Sequence, residues 1–355
     1  MAFSIPKVFA TPSNQQIIAI SDIHFDPFIG CHLQKYCSTV KELQGSPIEK
    51  WDSILARNKD QRQSRLRIGM DTNYALLTKL IKQVKPYASQ PNNSFMIITG
   101  DYLAHNVDKN YHRYFKTSKG YQVFIRKVFR YLYAKLRTIC PANLGVYFVM
   151  GNNDGYLGDY VINADQQFFK DISLDWSELK EIASNGSKID HQLLSRNGSY
   201  ARNITPSLKL IVLNTLIFLK KAKGENKETH AQLIINWLHK QLARAKQKHQ
   251  KVILAYHIPQ SVAPTKRLLS PKTANLWLDD INHAYIKLAK QYDTTIIGML
   301  HGHVHRPEFM RLHRDPNHPL PQHLISSVSP IFGNSPSFTI FTLKSDKLSS
   351  KVVTF

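Results

Sequence analysis

Apolar, β-branched runs alternate along the chain with stretches whose apolar residues recur every three to four positions. The runs Gln16–Ile20, Phe95–Thr99, Val146–Val149, Leu208–Asn214, Val252–Tyr256 and Thr295–Met299 predict strands. The longer periodicity predicts helices over Thr72–Val84, Gln122–Arg137, Gln167–Ala183, Glu228–Lys246 and Asn275–Gln291. After His305 the pattern shortens, and Phe338–Thr342 with Lys351–Thr354 reads as a final hairpin-like pair. Such alternation is expected of sheets covered by helices, an α/β (α+β) organisation. No internal repeat, low-complexity segment or linker interrupts it. Residues 1–355 therefore read as a single domain, with helical insertions near 105–140 and 156–195.

Composition adds limits. A chain of 355 residues with 43% hydrophobic content can bury a large core. It has no apolar stretch of about 18 residues that could span a bilayer. Residues 1–13 lack the apolar segment of a signal peptide, so the protein is expected to stay inside unless a leader has already been removed. Three cysteines make no disulfide framework, although Cys31 and Cys37 are near enough in sequence for one local bridge, two free thiols being the alternative. The formal charge of +22 would concentrate phosphates, nucleic acid or anionic lipid, including an anionic membrane surface, without choosing among them. The denser runs, Lys220–Lys223 and Arg244–Lys248, read as solvated faces, and no dedicated nucleic-acid site is expected.

The chemistry lies at the strand ends. Ser21-Asp-Ile-His-Phe-Asp26 follows the first strand, Gly100-Asp101 the second, Gly151-Asn-Asn-Asp154 the third, His257 the fifth and His301-Gly-His-Val-His305 the sixth. Five strand ends thus deliver Asp, Asn and His, a ligand set for divalent metals of intermediate hardness. Strand ends are where sites assemble in such sheets, because each strand holds its last residue on a rigid support. In Asp22-Ile-His24 an extended backbone would point both side chains to one side, and His303-Val-His305 repeats the spacing. Asp101 can offer one oxygen to each of two ions, and Asn152 a neutral carbonyl oxygen. A lone His or Asp at a strand end is usually a cap or a hydrogen-bond partner. The ordered set of five segments is harder to explain that way.

In this order the residues resemble the calcineurin-like metallophosphoesterases, whose pattern runs D-x-H, G-D, G-N-H-D/E, an isolated His, then G-H-x-H. The resemblance spans nearly the whole chain. It implies a four-layer sandwich of two mixed β-sheets flanked by helices, and two divalent ions bridged by an aspartate. One ion would take Asp22, His24, Asp101 and His305, and the other Asp101, Asn152, His257 and His303. The family also implies zinc ahead of manganese or iron. Details resemble the acid sphingomyelinase-like branch without its saposin module. They are Gly100-Asp-Tyr-Leu-Ala-His105, Leu213-Asn-Thr-Leu-Ile-Phe218, Tyr256-His-Ile-Pro259, Gly302-His-Val-His-Arg-Pro-Glu-Phe309, Ser327-Val-Ser-Pro330, Asn334-Ser-Pro-Ser-Phe338 and the cysteine-containing loop. That branch's habits tilt localisation toward a secreted or periplasmic protein.

One position departs from the pattern. Asn153 stands where the family has a histidine thought to protonate the leaving oxygen, and an amide cannot deliver a proton at neutral pH. Three readings follow: His105 supplies the acid, Asp154 does so with a raised pKa, or the site binds phosphate and turns over slowly. The sphingomyelinase-like pattern favours His105. The expected reaction is in-line attack of a metal-activated water on an anionic phosphoester, either a phospholipid or a nucleotide-like diester. A nucleotide or phosphomonoester phosphatase and a catalytically weak phosphate- or lipid-binding protein are the alternatives.

Overall fold

Strands form where the sequence is apolar without alternation, because most are buried on both faces. A computed structural model describes residues 14–31, 37–64, 68–162, 167–178, 191–260, 275–311 and 320–355. One sheet combines β1 (Gln15–Ile20), β2 (Asn93–Ile98), β3 (Gly145–Phe148), β10 (Ser337–Lys344) and β11 (Lys347–Thr354) in the order β11-β10-β1-β2-β3. The other combines β4 (Tyr200–Asn203), β5 (Leu208–Leu213), β6 (Lys251–Tyr256), β7 (Ile296–His301), β8 (Glu308–Arg311) and β9 (Pro321–Leu324) in the order β4-β5-β6-β7-β9-β8. β1, β2 and β3 run parallel, as do β5, β6, β7 and β9, while β10, β4 and β8 pair antiparallel at their flanks. β5 and β7 are buried at every position, which accounts for their uninterrupted apolar runs.

The two mixed sheets meet at several points. Phe341 of β10 packs on His323 of β9 at 5.0 Å between ring centroids, and Leu348 of β11 fills the space above Gly298 of β7. Helices cover the outer faces. Tyr87 of α3 (Tyr74–Ala88) rests on Phe338 of β10, and Tyr133 of α5 (Tyr121–Arg137) on Phe148 of β3. α8 (Lys227–Gln247) lies against β5 and β6. The remaining α-helices among the described residues are α1 (Ser38–Gly45), α2 (Trp51–Arg57), α4 (Val107–Phe115), α6 (Gln167–Glu178), α7 (His191–Asn197) and α9 (Asp279–Gln291). The 105–140 segment is occupied by α4 and α5. The 156–195 segment carries α6 and the start of α7, and its residues 163–166 and 179–190 lie outside the described residues, as does the end of the helix expected to reach Ala183.

Local chemistry explains the shifted boundaries. The helix expected at Thr72 begins at Tyr74, because Thr72 bridges Phe25 and Asn73 caps the helix by accepting from Leu76 N at 2.9 Å. It then runs through Pro86 to Ala88, where a missing N–H disturbs only the last turn. A disulfide joins Cys31 to Cys37 ahead of α1, which decides between the two states the sequence left open.

Candidate metal centre

Parallel strands in one sheet end on the same side, so the residues that follow β1, β2, β3, β6 and β7 converge. Backbone hydrogen bonds fix their relation: Asp22 N to Gly100 O at 3.0 Å, His24 N to Asp101 O at 2.9 Å and Gly302 N to His257 O at 3.1 Å. Close approach needs glycine at two positions. A Cβ on Gly151 would lie 2.1 Å from an Asp101 carboxylate oxygen, and one on Gly302 2.0 Å from Ser21 Oγ.

The extended backbone expected for Asp22-Ile-His24 is not what forms. Asp22 and His24 have φ of +50° and +44°, Asp101 +55°, and His303 and His305 +72° and +59°. Left-handed residues on either side of the buried Ile23 turn carboxylate and imidazole the same way by a different route. Asp and His tolerate this region better than most residues, yet five such positions in one site are strained backbone.

Three groups of donors result among the described residues. One is His24 with Asp71 and His105, and the other two fall within the expected ligand sets. Asp22, His24 and His305 form the first of these two, and Asp101, His257 and His303 the second, each with ligand atoms within 4.8 Å of one another. The structure thus splits His303 from His305 despite their D-x-H-like spacing. Asp101 lies between the groups, with Oδ2 3.4 Å from His24 Nε2 and 3.2 Å from His257 Nε2. Asn152 joins the second group through Oδ1, 3.2 Å from His257 Nε2.

The hydrogen bonds around these groups fit them to a cation. His24 Nδ1 donates to Leu103 O at 2.9 Å, and His257 Nδ1 to Thr99 O at 2.7 Å. With Nδ1 engaged in this way, each ring turns its Nε2 inward, the arrangement that orients metal-binding histidines. Asn152 Nδ2 donates to Asp159 Oδ1 at 2.7 Å, which turns its Oδ1 toward the same space. Lone pairs of imidazole, amide and carboxylate thus face one another at 3.2–3.4 Å, a distance a cation between them makes favourable.

Burial sets the ring electrostatics. It pushes His305 down to about 4 and His303 well below the ordinary imidazole range. At His257 the Asp101 charge outweighs burial and lifts the pKa to about 9. The Asp101 carboxyl resists burial in turn, and His257 and His24 hold it well below the usual carboxylate range. This pull on positive charge is the same whether a proton or a metal ion supplies it.

The three candidates for proton transfer separate clearly. Asn153 is buried, with its N donating to Asp101 Oδ1 and its Nδ2 to Asp101 Oδ2, both at 2.9 Å. Asp154 is also buried, and burial with the Asp101 charge raises its pKa to about 7. Its oxygens are nevertheless engaged by the backbone N–H groups of Asp101, Tyr102, Leu103 and Gly151, so it locks the turn rather than facing the donor groups. His105 stacks on His24 at 4.1 Å between centroids and keeps a quarter of its side chain exposed.

Sequence reasoning missed His105's partner. Asp71 accepts from His105 N at 2.8 Å and lies 3.1 Å from its Nδ1, and it also accepts from Ser329 Oγ. Burial opposes a charged ring, but this carboxylate outweighs it and raises the His105 pKa. Asp71 sits in Ile68-Gly-Met-Asp-Thr72 with no motif around it, so only tertiary contact reveals it. Asp159 and Tyr160 were missed likewise; Tyr160 Oη lies 3.4 Å from His303 Nε2.

Comparison with known proteins agrees with this geometry. The family model for calcineurin-like phosphoesterases matches residues 16–307. A relative from Dictyostelium discoideum named sphingomyelinase phosphodiesterase D is 25% identical over 352 residues, covering 94% of this chain and 72% of its own. The human cyclic GMP-AMP phosphodiesterase SMPDL3A is 22% identical over 306 residues, 85% of this chain and 59% of its own. A dimetal phosphatase from Danio rerio shares the fold, with a TM-score of 0.54 at 12% identity over 96% of this chain and 99% of that one. The chain belongs to the calcineurin-like metallophosphoesterases, and its relatives include proteins of their sphingomyelinase-like branch.

Proposed function

We propose that the chain is a dinuclear metal-dependent phosphodiesterase that cleaves a phospholipid or nucleotide-like phosphodiester. Asp22, His24, Asp101 and His305 hold one divalent ion, and Asp101, Asn152, His257 and His303 the other. The observation that carries this reading is the inward convergence of lone pairs around Asp101 Oδ2, with His24 and His257 fixed by backbone carbonyls on their far sides. The two ions, zinc by family resemblance, supply Lewis-acid activation of water and neutralise phosphoryl charge.

The chain's own residues do the rest. Asn153 orients the Asp101 carboxylate with two hydrogen bonds, which gives the departure from the family histidine a positioning role. His105 protonates the leaving oxygen through Nε2, while Asp71 holds its Nδ1 and keeps the ring oriented. General-acid help of this kind contributes about 10²- to 10⁴-fold. Asp154 keeps the turn closed and takes no part in proton transfer. The two sheets act as one catalytic unit, and the Cys31–Cys37 disulfide supports an oxidising, secreted or periplasmic-type compartment.

The test strips the protein of metal, reloads it with zinc or manganese, and follows bis(p-nitrophenyl) phosphate hydrolysis together with bound metal per chain. About two ions per chain and metal-dependent diester turnover are expected. Turnover of p-nitrophenyl phosphate alone would make it a monoesterase. Full loading without turnover on either substrate would make it a binding protein.

A further inference from the structure

α8 begins with a lysine whose charge does not suit the helix. Lys227 is its first residue, where the helix dipole favours anions and disfavours cations. The residue is also buried. Its ammonium donates to Leu219 O at 2.8 Å, to Ala222 O at 2.9 Å and to Lys220 O at 3.4 Å. Three donors thus meet three carbonyls, and the loop 219–222 is folded around one buried charge. Burying a charge is costly whatever it binds, so such a lysine says little about stability. What it fixes is the shape of the loop.

That loop supports the second donor group, which contains Asp101, His257 and His303. Lys223 N donates to Tyr160 O at 2.9 Å, and Ile162 N to Lys223 O at 2.8 Å. Tyr160 has φ of +55°, a strained conformation for a tyrosine, and this clasp holds the chain on either side of it. Tyr160 N donates in turn to Asn152 O at 3.1 Å. The same segment carries Asp159, which accepts from Asn152 Nδ2 at 2.7 Å, and the Tyr160 ring, whose Oη is 3.4 Å from His303 Nε2. Both the backbone and the amide of Asn152 are therefore set by residues 159–162, and those residues by the loop on Lys227. The first donor group is held from other sides: His24 Nδ1 by Leu103 O, and the Asp22 backbone by Gly100 O and Ser329 N.

Resting on the dinuclear reading above, we infer that Lys227 is a positioning residue for the ion of the second donor group. Its ammonium sets the loop 219–223, and through Asp159 and Tyr160 that loop sets the Asn152 oxygen and the His303 ring. Affinity for this ion depends on a charge whose hydrogen bonds go to the loop, and affinity for the other ion does not.

Zinc titration of the metal-stripped full chain against a chromophoric chelator tests this. Wild type should take up two ions in separable steps, and Asn152→Ala identifies the step that belongs to the second group. Lys227→Met keeps the length of the side chain and removes its charge. It should weaken that step by about tenfold, as lost outer-shell support does, and leave the other unchanged. Lys227→Gln, which keeps an amide donor, should show the same selective loss in smaller measure and serves if the methionine variant does not fold. Leu242→Ala, a buried position elsewhere on α8, controls for general destabilisation and should shift neither step selectively. Hydrogen exchange on metal-free protein reads the link without zinc: the Tyr160 amide should exchange about tenfold faster in Lys227→Met than in wild type or Leu242→Ala. Equal weakening of both steps, an unchanged second step, or the same selective loss in Leu242→Ala would overturn the inference. If wild type binds fewer than two ions, the dinuclear reading fails instead, and the exchange rates alone uphold or overturn the role of Lys227.

Discussion

Replacing Asp71 by Asn isolates the partner of the proposed acid. The side chain keeps its shape but loses its charge and one acceptor oxygen, and its new amide donor faces groups that are themselves donors, His105 N and Nδ1. A hydrogen bond to a charged group contributes about 1.5–3 kcal/mol. His105 keeps a quarter of its side chain exposed, so solvent screening favours the lower end, near 1.5 kcal/mol, or about tenfold in rate. The loss should depend on the leaving group. A nucleoside or alkyl alcohol must be protonated as it departs, whereas p-nitrophenolate leaves without help, and its rate should fall by less than about threefold.

The pH profile provides a second reading. A general acid works protonated, so activity declines as pH rises through its pKa. Asp71 raises the His105 pKa against the opposing effect of burial. Without the carboxylate burial dominates, and the alkaline limb should move to lower pH. Bound divalent cations depress His105 in both proteins alike, so the difference between them reports Asp71. The assay is kcat and kcat/KM against pH for both leaving groups, with bound metal measured alongside. Equal losses for both leaving groups and an unmoved limb would show that Asp71 only supports the fold.

Other substitutions probe the rest of the site. Asp101→Asn removes the charge shared by both donor groups; bound metal measured by elemental analysis should fall by at least one ion per chain, and diester hydrolysis by more than about a hundredfold. A variant with both ions and full activity would refute the bridging assignment. Asn153→Ala removes one of the two contacts that orient Asp101, that of the side-chain amide, and should weaken metal affinity roughly tenfold in a chelator competition, as outer-shell losses do. Gly302→Ala places a Cβ against Ser21 Oγ and Asp22 Oδ2; overpacking of about 1–3 kcal/mol should lower the melting temperature by several degrees. Opening the Cys31–Cys37 bridge by Cys31→Ser with Cys37→Ser should cost about 2 kcal/mol for so short a loop, measurable by denaturant unfolding.

Much of this architecture was legible because burial and chain geometry leave strong traces. Six strands and five helices appear as apolar periodicity, and the donors appear as polar residues set where those runs stop. What was not legible is short or half-exposed. β4 reads Tyr200-Ala-Arg-Asn203 and β9 Pro321-Gln-His-Leu324, and each is held by its neighbours in the sheet, not by an apolar pattern of its own. α4 begins after a left-handed Asn106, where no side-chain cap signals a start. Asp71, Asp159 and Tyr160 lie outside any motif and matter only through what the fold brings beside them. For the same reason the run Lys220–Lys223 read as a solvated face, although one of its lysines is held on a ring that reaches His303.

The backbone of the donor groups shows why a site of this kind needs so extensive a scaffold. Five of its residues occupy left-handed φ, at about 1–2 kcal/mol each for a side chain with a Cβ. The sum approaches the total stability of an ordinary domain, about 5–15 kcal/mol. It is offset locally: Asp22 N, His24 N, Asp101 N and His303 N all find acceptors within 3.2 Å, and Asp154 receives four backbone donors that hold the turn of Asp101 closed. Strained residues gathered on rigid, doubly buried strands arrive with their lone pairs already converged. Binding a cation then needs little further ordering of the groups that would hold it. That is why the site depends on Gly151, Gly302, Asn153 and Asp154 as much as on the residues that would touch the ions.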